Sequence, residues 1–412
     1  MTPAGWTRTT LGAVADTALG KMLDKAKDAG RQRVPYLRNI NVQWGRIDTE
    51  DILTMELGEE ELHRFAVQDG DLLVCEGGEI GRAAVWRGNG EYMAYQKALH
   101  RIRPSAALDA HFLRYLLEHF AQAGVLARHA TGSTIAHLPQ QRLRALPIAL
   151  PSPAEQRRIV EILESHLSHL DAADASLNDA ALRLTALTLS ALNSWIEGPP
   201  YRLGELTIHS GYGTSTKCAV DGVGDPVVRI PNIVRGRLDM ADVKRVVDPA
   251  VDVSPLHLRE GDLLIVRTNG SRELIGRCAV VEKHHAVAFA SYLIRYQVDR
   301  GRVDPDWARM ALTAPSARAQ IEFLAASSAG QYNLSVAKLN ALTIPCPSIH
   351  EQRAALERMS AFQSDADRLE VSVREGLLRS EALKSAVLAA AFAGRLTGAS
   401  TDTEIIEEMA EA

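Results

Sequence analysis

Cysteine is scarce in this sequence: Cys75, Cys218, Cys278 and Cys346 are the only four in 412 residues. They stand far apart, with no Cys-x-x-Cys spacing and no histidine pair beside them. This excludes a disulfide-framed module and a cysteine-ligated zinc site, and it leads us to expect reduced, partly buried thiols. No apolar run approaches the roughly 18 residues that a membrane-spanning helix needs, and no apolar stretch follows a basic one near the first residue. The expectation is a cytoplasmic protein without a signal peptide. Catalytic signatures are missing too. We find no Gly-x-Gly-x-x-Gly ahead of a helix, no Gly-Lys-Ser/Thr phosphate loop, no Asn/Asp-Pro-Pro-Tyr/Phe and no Asp…Glu-x-Lys nuclease core. His284-His285 is the only histidine pair and has no second ligand set nearby, so it reads as a surface loop or strand edge. The tail Glu404-Ile-Ile-Glu-Glu-Met-Ala-Glu411 reads as a frayed helix. No catalytic residue, metal or cofactor is therefore expected in this chain.

What is present is a repeat. Tyr36-Leu-Arg-Asn-Ile-Asn-Val-Gln-Trp-Gly-Arg-Ile-Asp48 precedes Asp69-Gly-Asp-Leu-Leu-Val74, Ile80-Gly-Arg82 and Leu99-His-Arg-Ile-Arg103. Val228-Arg-Ile-Pro-Asn-Ile-Val-Arg-Gly-Arg-Leu-Asp239 likewise precedes Glu260-Gly-Asp-Leu-Leu-Ile265, Ile275-Gly-Arg277 and Leu293-Ile-Arg-Tyr296. Both halves close alike, on Leu146-Pro147 with Pro151-Ser-Pro-Ala-Glu-Gln-Arg157 and on Pro345-Cys-Pro-Ser-Ile-His-Glu-Gln-Arg353. Two similar modules are the simplest account. The net charge of −5 is uneven. Residues 1–150 carry +1 and 201–347 carry +3, whereas 151–200 carry −4 and 348–412 carry −5. Two globules facing phosphate, joined by segments facing something else, would give that alternation.

Each module opens with short β-type runs, at 71–74, 82–86, 262–266 and 277–281, broken by turns at Glu76-Gly-Gly78 and Asn269-Gly270. A short helix is expected at 109–119, with a counterpart at 304–312. One long helix then follows. Ser152 and Ser348 are cap candidates with Glu155 and Glu351 three residues on, so each offers a capping box. Glu155-Gln-Arg157 and Glu351-Gln-Arg353 are read as caps and domain-to-helix anchors, contact with a partner subunit being the alternative. In the first helix Leu163, Leu170, Leu177, Leu184 and Ala191 form one heptad row, with Ile159, His166, Ala173, Ala180 and Leu187 as the second. In the second helix the rows are Phe362, Leu369, Gly376, Leu383 and Ala390, and Ala366, Val373, Ser380 and Val387. Small residues here predict close approach of the helices. Breaks are expected at Gly198-Pro-Pro200 and Gly394. Helices with such seams need partners, and the long connection between them permits an antiparallel pair.

The pattern resembles the specificity (S) subunits of type I restriction-modification systems. The carrying residues are Leu11-Gly12, Tyr36–Asn41 with Gly45-Arg-Ile-Asp48, Gly70-Asp-Leu-Leu73, Ile80-Gly-Arg82, Leu146-Pro147 and Pro151–Arg157, with their second-half counterparts including Leu203-Gly204. The resemblance covers roughly residues 5–396; one departure is Leu342-Thr343 where Leu-Pro is expected. It implies an α+β fold: two target-recognition domains, 1–150 and 199–347, and two long coiled-coil helices, 151–198 and 348–396, before an acidic tail, 397–412. It implies that each domain reads half of a split double-stranded DNA site, and that two methyltransferase subunits gather on the helices. Those subunits would bring S-adenosylmethionine and flip the target adenine; restriction subunits are further partners of such complexes.

Base edges are read mostly by Arg, Lys, Asn and Gln, and phosphates by basic and hydroxyl side chains and backbone amides. By loop position and donor type, the first-domain candidates are Lys21, Arg38, Asn39, Gln96, Lys97 and the turn Thr131, Gly132, Ser133. The second-domain candidates are Tyr212, Thr214, Arg229, Asn232, Arg267, Asn269, Ser271 and Gln331. A structural role is the alternative for each, and Arg82 and Arg277 are read as structural. Two other functions stay open at this point: a coiled-coil scaffold binding only protein, and the recognition part of a split restriction-methylation enzyme.

Overall fold

A computed structural model describes residues 2–23, 32–88, 90–132, 136–283, 286–325 and 332–397. His284-His285, Ser133, Gln331 and the acidic tail beyond Thr397 lie outside the described residues. The chain divides into two units, residues 1–177 with 374–412, and residues 178–373.

In the first unit Leu72-Leu-Val-Cys75 is apolar at every position because the strand Leu72–Cys75 is covered on both faces. Leu72 and Val74 enter one core, with Phe112, Leu113 and Leu116 of the helix Ala110–Gln122. Leu73 and Cys75 enter another, with Val34, Tyr36, Met55 and Leu57 of a three-stranded sheet. The central sheet is antiparallel and runs in the order Ala15–Leu19, Leu99–Pro104, Leu72–Cys75, Ala83–Val85. The preceding Gly-Asp forms the turn into this sheet. Gly70 has φ of 83°, where a side chain is strained, and Asp71 is buried, gripped by Arg103 through two bonds of 2.7 Å. The second unit repeats this plan. Its sheet runs Thr207–Tyr212, Leu293–Val298, Leu263–Val266, Cys278–Val280, Gly261 has φ of 84°, and buried Asp262 accepts from Gln297 at 2.8 Å. Asp109 and Asp304 cap the short helices with their side chains. All four cysteines are free thiols; burial raises each pKa, to about 11 for Cys278.

The long helices are Pro153–Trp195 and Ile349–Phe392. Within the first unit, Ile159 and Leu163 share a core with Val387, Leu388 and Ala391. Asp171 and Asp174 bond Lys384 at 2.5 and 2.7 Å, and a Cβ on Gly376 would lie 3.0 Å from Leu177. As one number rises the other falls, so the two segments run antiparallel, and closely where glycine permits it. In the second unit Trp195 meets Phe362 edge to face at 5.6 Å, and Ile196 shares a core with Ala355 and Met359. The expected second row on the first helix holds at Ile159, which is buried, and at His166, which is partly buried, and is corrected beyond them. Ala173, Ala180 and Leu187 are exposed, whereas Leu167, Asp174, Ala181, Thr188 and Trp195 are partly buried. Leu369 is also 55% exposed. The polar Asp174 and Thr188 concealed the true row from hydrophobic periodicity.

The capping boxes differ. Ser348 and Glu351 form the reciprocal box: the Ser348 N–H donates to Glu351 at 2.9 Å, and the Glu351 N–H donates to Ser348 at 3.4 Å. At the first helix only half of it forms. The Glu155 N–H donates to Ser152, but its carboxylate accepts instead from the Trp6 indole at 3.0 Å and from Thr397.

Candidate nucleic-acid interface

Strand register decides which loops meet. In the first unit His100 faces Leu19 and Leu99 faces Cys75. The exits of Ala15–Leu19 and Leu72–Cys75 therefore share one end of the sheet with the entry to Leu99–Pro104. At that end Lys21 and Gln96 form a parallel bridge, and the Lys97 N–H donates to the Lys21 carbonyl at 2.9 Å. The Leu138 N–H donates to the Glu76 carbonyl at 2.7 Å, and His137 bridges both Gly77 and Thr131. Asn39 donates its amide to the Gly77 carbonyl at 2.7 Å. Lys21, Asn39, Gln96, Lys97, Thr131 and Gly132 are thus gathered by the fold into one loop cluster.

The second unit builds the same end. Tyr212 faces Ile294 and Val266 faces Leu293. Thr214 bridges Ala290 in parallel, as Lys21 bridges Gln96, and Thr268-Asn269 pairs with Tyr332-Asn333. Arg267 lies across the cluster, its guanidinium 4.8 Å from the Tyr212 ring centre. Ser271 follows, its N–H donating to the Asn269 side chain at 2.7 Å.

One glycine per unit makes this closure possible. A Cβ on Gly20 would sit 2.2 Å from the Gln96 carbonyl oxygen, and one on Gly213 would sit 2.1 Å from that of Phe289. Only hydrogen fits where the backbone comes so close.

Several candidate donors are already engaged. Asn232 departs from the expectation of a DNA contact. It is buried, its carbonyl accepts from the Arg229 N–H at 2.8 Å, and its amide donates to the Asp239 and Asp242 carbonyls at 3.0 and 2.8 Å. Asn41 does the same in the first unit, so this asparagine shapes a turn. Arg38 is ion-paired with Asp51 at 2.5 Å and Arg229 with Asp242 at 3.4 Å. The Lys21 ammonium pairs with Glu61. Arg82 is structural as expected, donating to Asn39 at 2.7 Å, whereas Arg277 is exposed. The anchor within Glu-Gln-Arg is the glutamine: Gln156 and Gln352 are fully buried. The sequence reading missed His137, Asn333 and the 56%-exposed Tyr292. His137 and Asn333 each precede a matched leucine, Leu138 or Leu334, which was the available signal.

Residues 3–179 match the family described as the type I restriction modification DNA specificity domain. The chain is similar to the EcoKI specificity subunit of Escherichia coli K12, 23% identical over 421 positions, covering 96% of this chain and 90% of that one. It is also similar to the StySPI specificity subunit of Salmonella potsdam, 21% identical with the same coverage. Among solved structures it shares its fold with a chain from work on complex assembly and conformational transition of the type I R-M system. That match has a TM-score of 0.77 at 19% identity and covers 96% of this chain and all of that one. The HsdS subunit of Thermoanaerobacter tengcongensis matches with a TM-score of 0.57 at 18% identity, covering 96% and 98%.

Proposed function

We infer that this chain belongs to the specificity subunits of type I restriction-modification systems and reads a bipartite DNA site on behalf of catalytic partners. Residues 1–150 and 199–347 act as the two recognition domains, each reading one half-site with the loop cluster at the end of its central sheet. The helical segments 151–198 and 348–396 hold two methyltransferase subunits in the cytoplasm, which carry S-adenosylmethionine and the chemistry. The chain itself contributes no catalytic group.

One observation carries this reading. Both units build the same backbone frame at one sheet end, with Lys21–Gln96 in one and Thr214–Ala290 in the other, and dress it with different side chains. A scaffold that only binds protein has no need to keep the frame and change the dressing, whereas a reader of two different half-sites needs both. Lys97, Thr131, Thr214, Asn269 and Ser271 stay in the proposed contact set beside Gln96, Asn39, Arg267 and Tyr212. Lys21, Arg38 and Arg229 join it by exchanging their carboxylate partners for phosphate.

The test is co-expression with a type I methyltransferase subunit, followed by mapping of methylated adenines and a DNA-shift assay. A split motif of two short half-sites is expected, with binding that weakens as salt rises. Binding of the methyltransferase with no sequence preference would favour the protein scaffold. Methyl transfer by the chain alone would favour a split enzyme.

A further inference from the structure

We propose that Glu76 and Arg267 occupy the same reading position in the two units and select complementary bases there: Glu76 a cytosine, through its N4 amino group, and Arg267 a guanine, through O6 and N7. This rests on the DNA-reading function argued above and names the chemistry at one position of each half-site.

The equivalence is a matter of backbone geometry. The Glu76 N–H donates to the Ala98 carbonyl at 3.0 Å, and its carbonyl accepts from Leu138 at 2.7 Å. The Arg267 N–H donates to the Tyr292 carbonyl at 3.0 Å, and its carbonyl accepts from Leu334 at 2.7 Å. Each is the first residue past the central strand, Leu72–Cys75 or Leu263–Val266. Each is followed by a residue bridged to the loop ahead of the matched leucine, Gly77 to His137 and Thr268 to Asn333. The frame is the same, and the side chain carries the opposite charge.

Glu76 is half-buried, and no hydrogen bond or ion pair among the described residues reaches its carboxylate. His100, a titratable group that senses it, is fully buried, and burial lowers its pKa and favours the neutral ring. A bare carboxylate at a surface that meets phosphates is repelled unless the DNA supplies a donor. Guanine and thymine offer only acceptors in the major groove, and adenine sets an acceptor, N7, beside its amino group. Cytosine offers the amino group alone, which suits a group that only accepts.

Arg267 is held in one plane. Its guanidinium donates through Nε to the Leu334 carbonyl at 3.4 Å, through one terminal nitrogen to the Ser291 carbonyl at 3.3 Å and through the other to Asn333 at 3.1 Å. Stacking against Tyr212 holds it as well. Of the five N–H groups of a guanidinium, three are thus engaged and one remains on each terminal nitrogen. Two parallel donors of this kind match the paired acceptors O6 and N7 of guanine.

The experiment maps methylated adenines made by the full complex carrying Glu76→Gln, Glu76→Arg or Arg267→Gln. Glu76→Gln should broaden one cytosine of one half-site to cytosine or adenine, and Glu76→Arg should turn it to guanine. Arg267→Gln should lower guanine preference at one position of the other half-site by roughly 5- to 150-fold. In every variant the half-site read by the unaltered unit is the internal control and keeps its sequence. A wild-type complex without a bipartite motif overturns the DNA-reading function and this inference with it. An intact wild-type motif that neither Glu76→Gln nor Arg267→Gln alters overturns this inference alone. If Glu76→Arg abolishes methylation altogether, the near-isosteric Glu76→Gln decides: an unchanged motif overturns the assignment and a broadened position supports it.

Discussion

Gln156, on the first turn of its long helix, accepts a hydrogen bond of 2.8 Å from the Asp109 backbone, the residue that caps the short helix of the same unit. Its amide donates to the Ala107 and Pro151 carbonyls, both at 2.9 Å. Gln352 repeats this with Asp304, Arg302 and Pro347. One fully buried side chain thus ties globule to helix. Gln156→Met, of similar volume, takes the partner from the partly buried Asp109 N–H, the buried Pro151 carbonyl and the Ala107 carbonyl. It should cost about 2–4 kcal/mol, read from urea titrations and from faster hydrogen exchange over 107–113. An unchanged midpoint would refute the anchoring role.

The Lys384 contact with Asp171 and Asp174 makes a pH-dependent link between the helices. The bond from Lys384 holds the Asp174 carboxyl below the usual carboxylate range. Burial lowers the Lys384 pKa, but the bonds to Asp171 and Asp174 outweigh it and raise the pKa overall. A depressed carboxyl stabilises the fold above its unfolded pKa, and that stability is lost as pH falls through the lower, folded value. A raised lysine adds stability that is lost as pH climbs through its folded pKa. The helix pair should therefore hold between these limits and loosen in acid below about pH 4 and again at strongly alkaline pH. Asp174→Asn should flatten the acid limb of a stability-versus-pH curve. An identical acid limb in the variant would count against the link.

Gly20→Ala and Gly213→Ala each force a methyl into a carbonyl at 2.2 or 2.1 Å. The strand ends must part, at about 1–3 kcal/mol. Each change should blur only the half-site read by its own unit. Gly270→Ala, with open space around it, should shift stability by less than about 0.5 kcal/mol. Equal effects of all three on thermal unfolding would show that close approach is not the reason for glycine.

A fragment of residues 1–198 keeps Ile159, Val160 and Leu163 but loses Val387, Leu388, Ala390, Ala391 and Leu396, which cover them. An apolar face of that kind seeks a substitute. The fragment should dimerise at micromolar concentration, as sedimentation would show, and with the methyltransferase it should read a palindrome of one half-site. A well-folded monomer would contradict the account.

Local signals determined a good deal of this protein. The repeat, the Gly-Asp turns, the Asp and Ser caps and the two long helices are each written in a few neighbouring residues, because turns, caps and periodic faces depend on near neighbours in the chain. The same holds for the placing of Gln96, Thr214 and Arg267 in loops. Only the tertiary structure decided the rest. Asp174 faces inward instead of Ala173 because Lys384, distant in sequence, makes an aspartate welcome on the seam. Asn232 is buried and Arg38 is engaged because turn carbonyls and Asp51 reach them first. Glu76 and Arg267 become a matched pair only when antiparallel register brings Leu138 and Leu334 over them. In each case the partner lies far along the chain, and its distance and direction are set by packing, which no local pattern encodes.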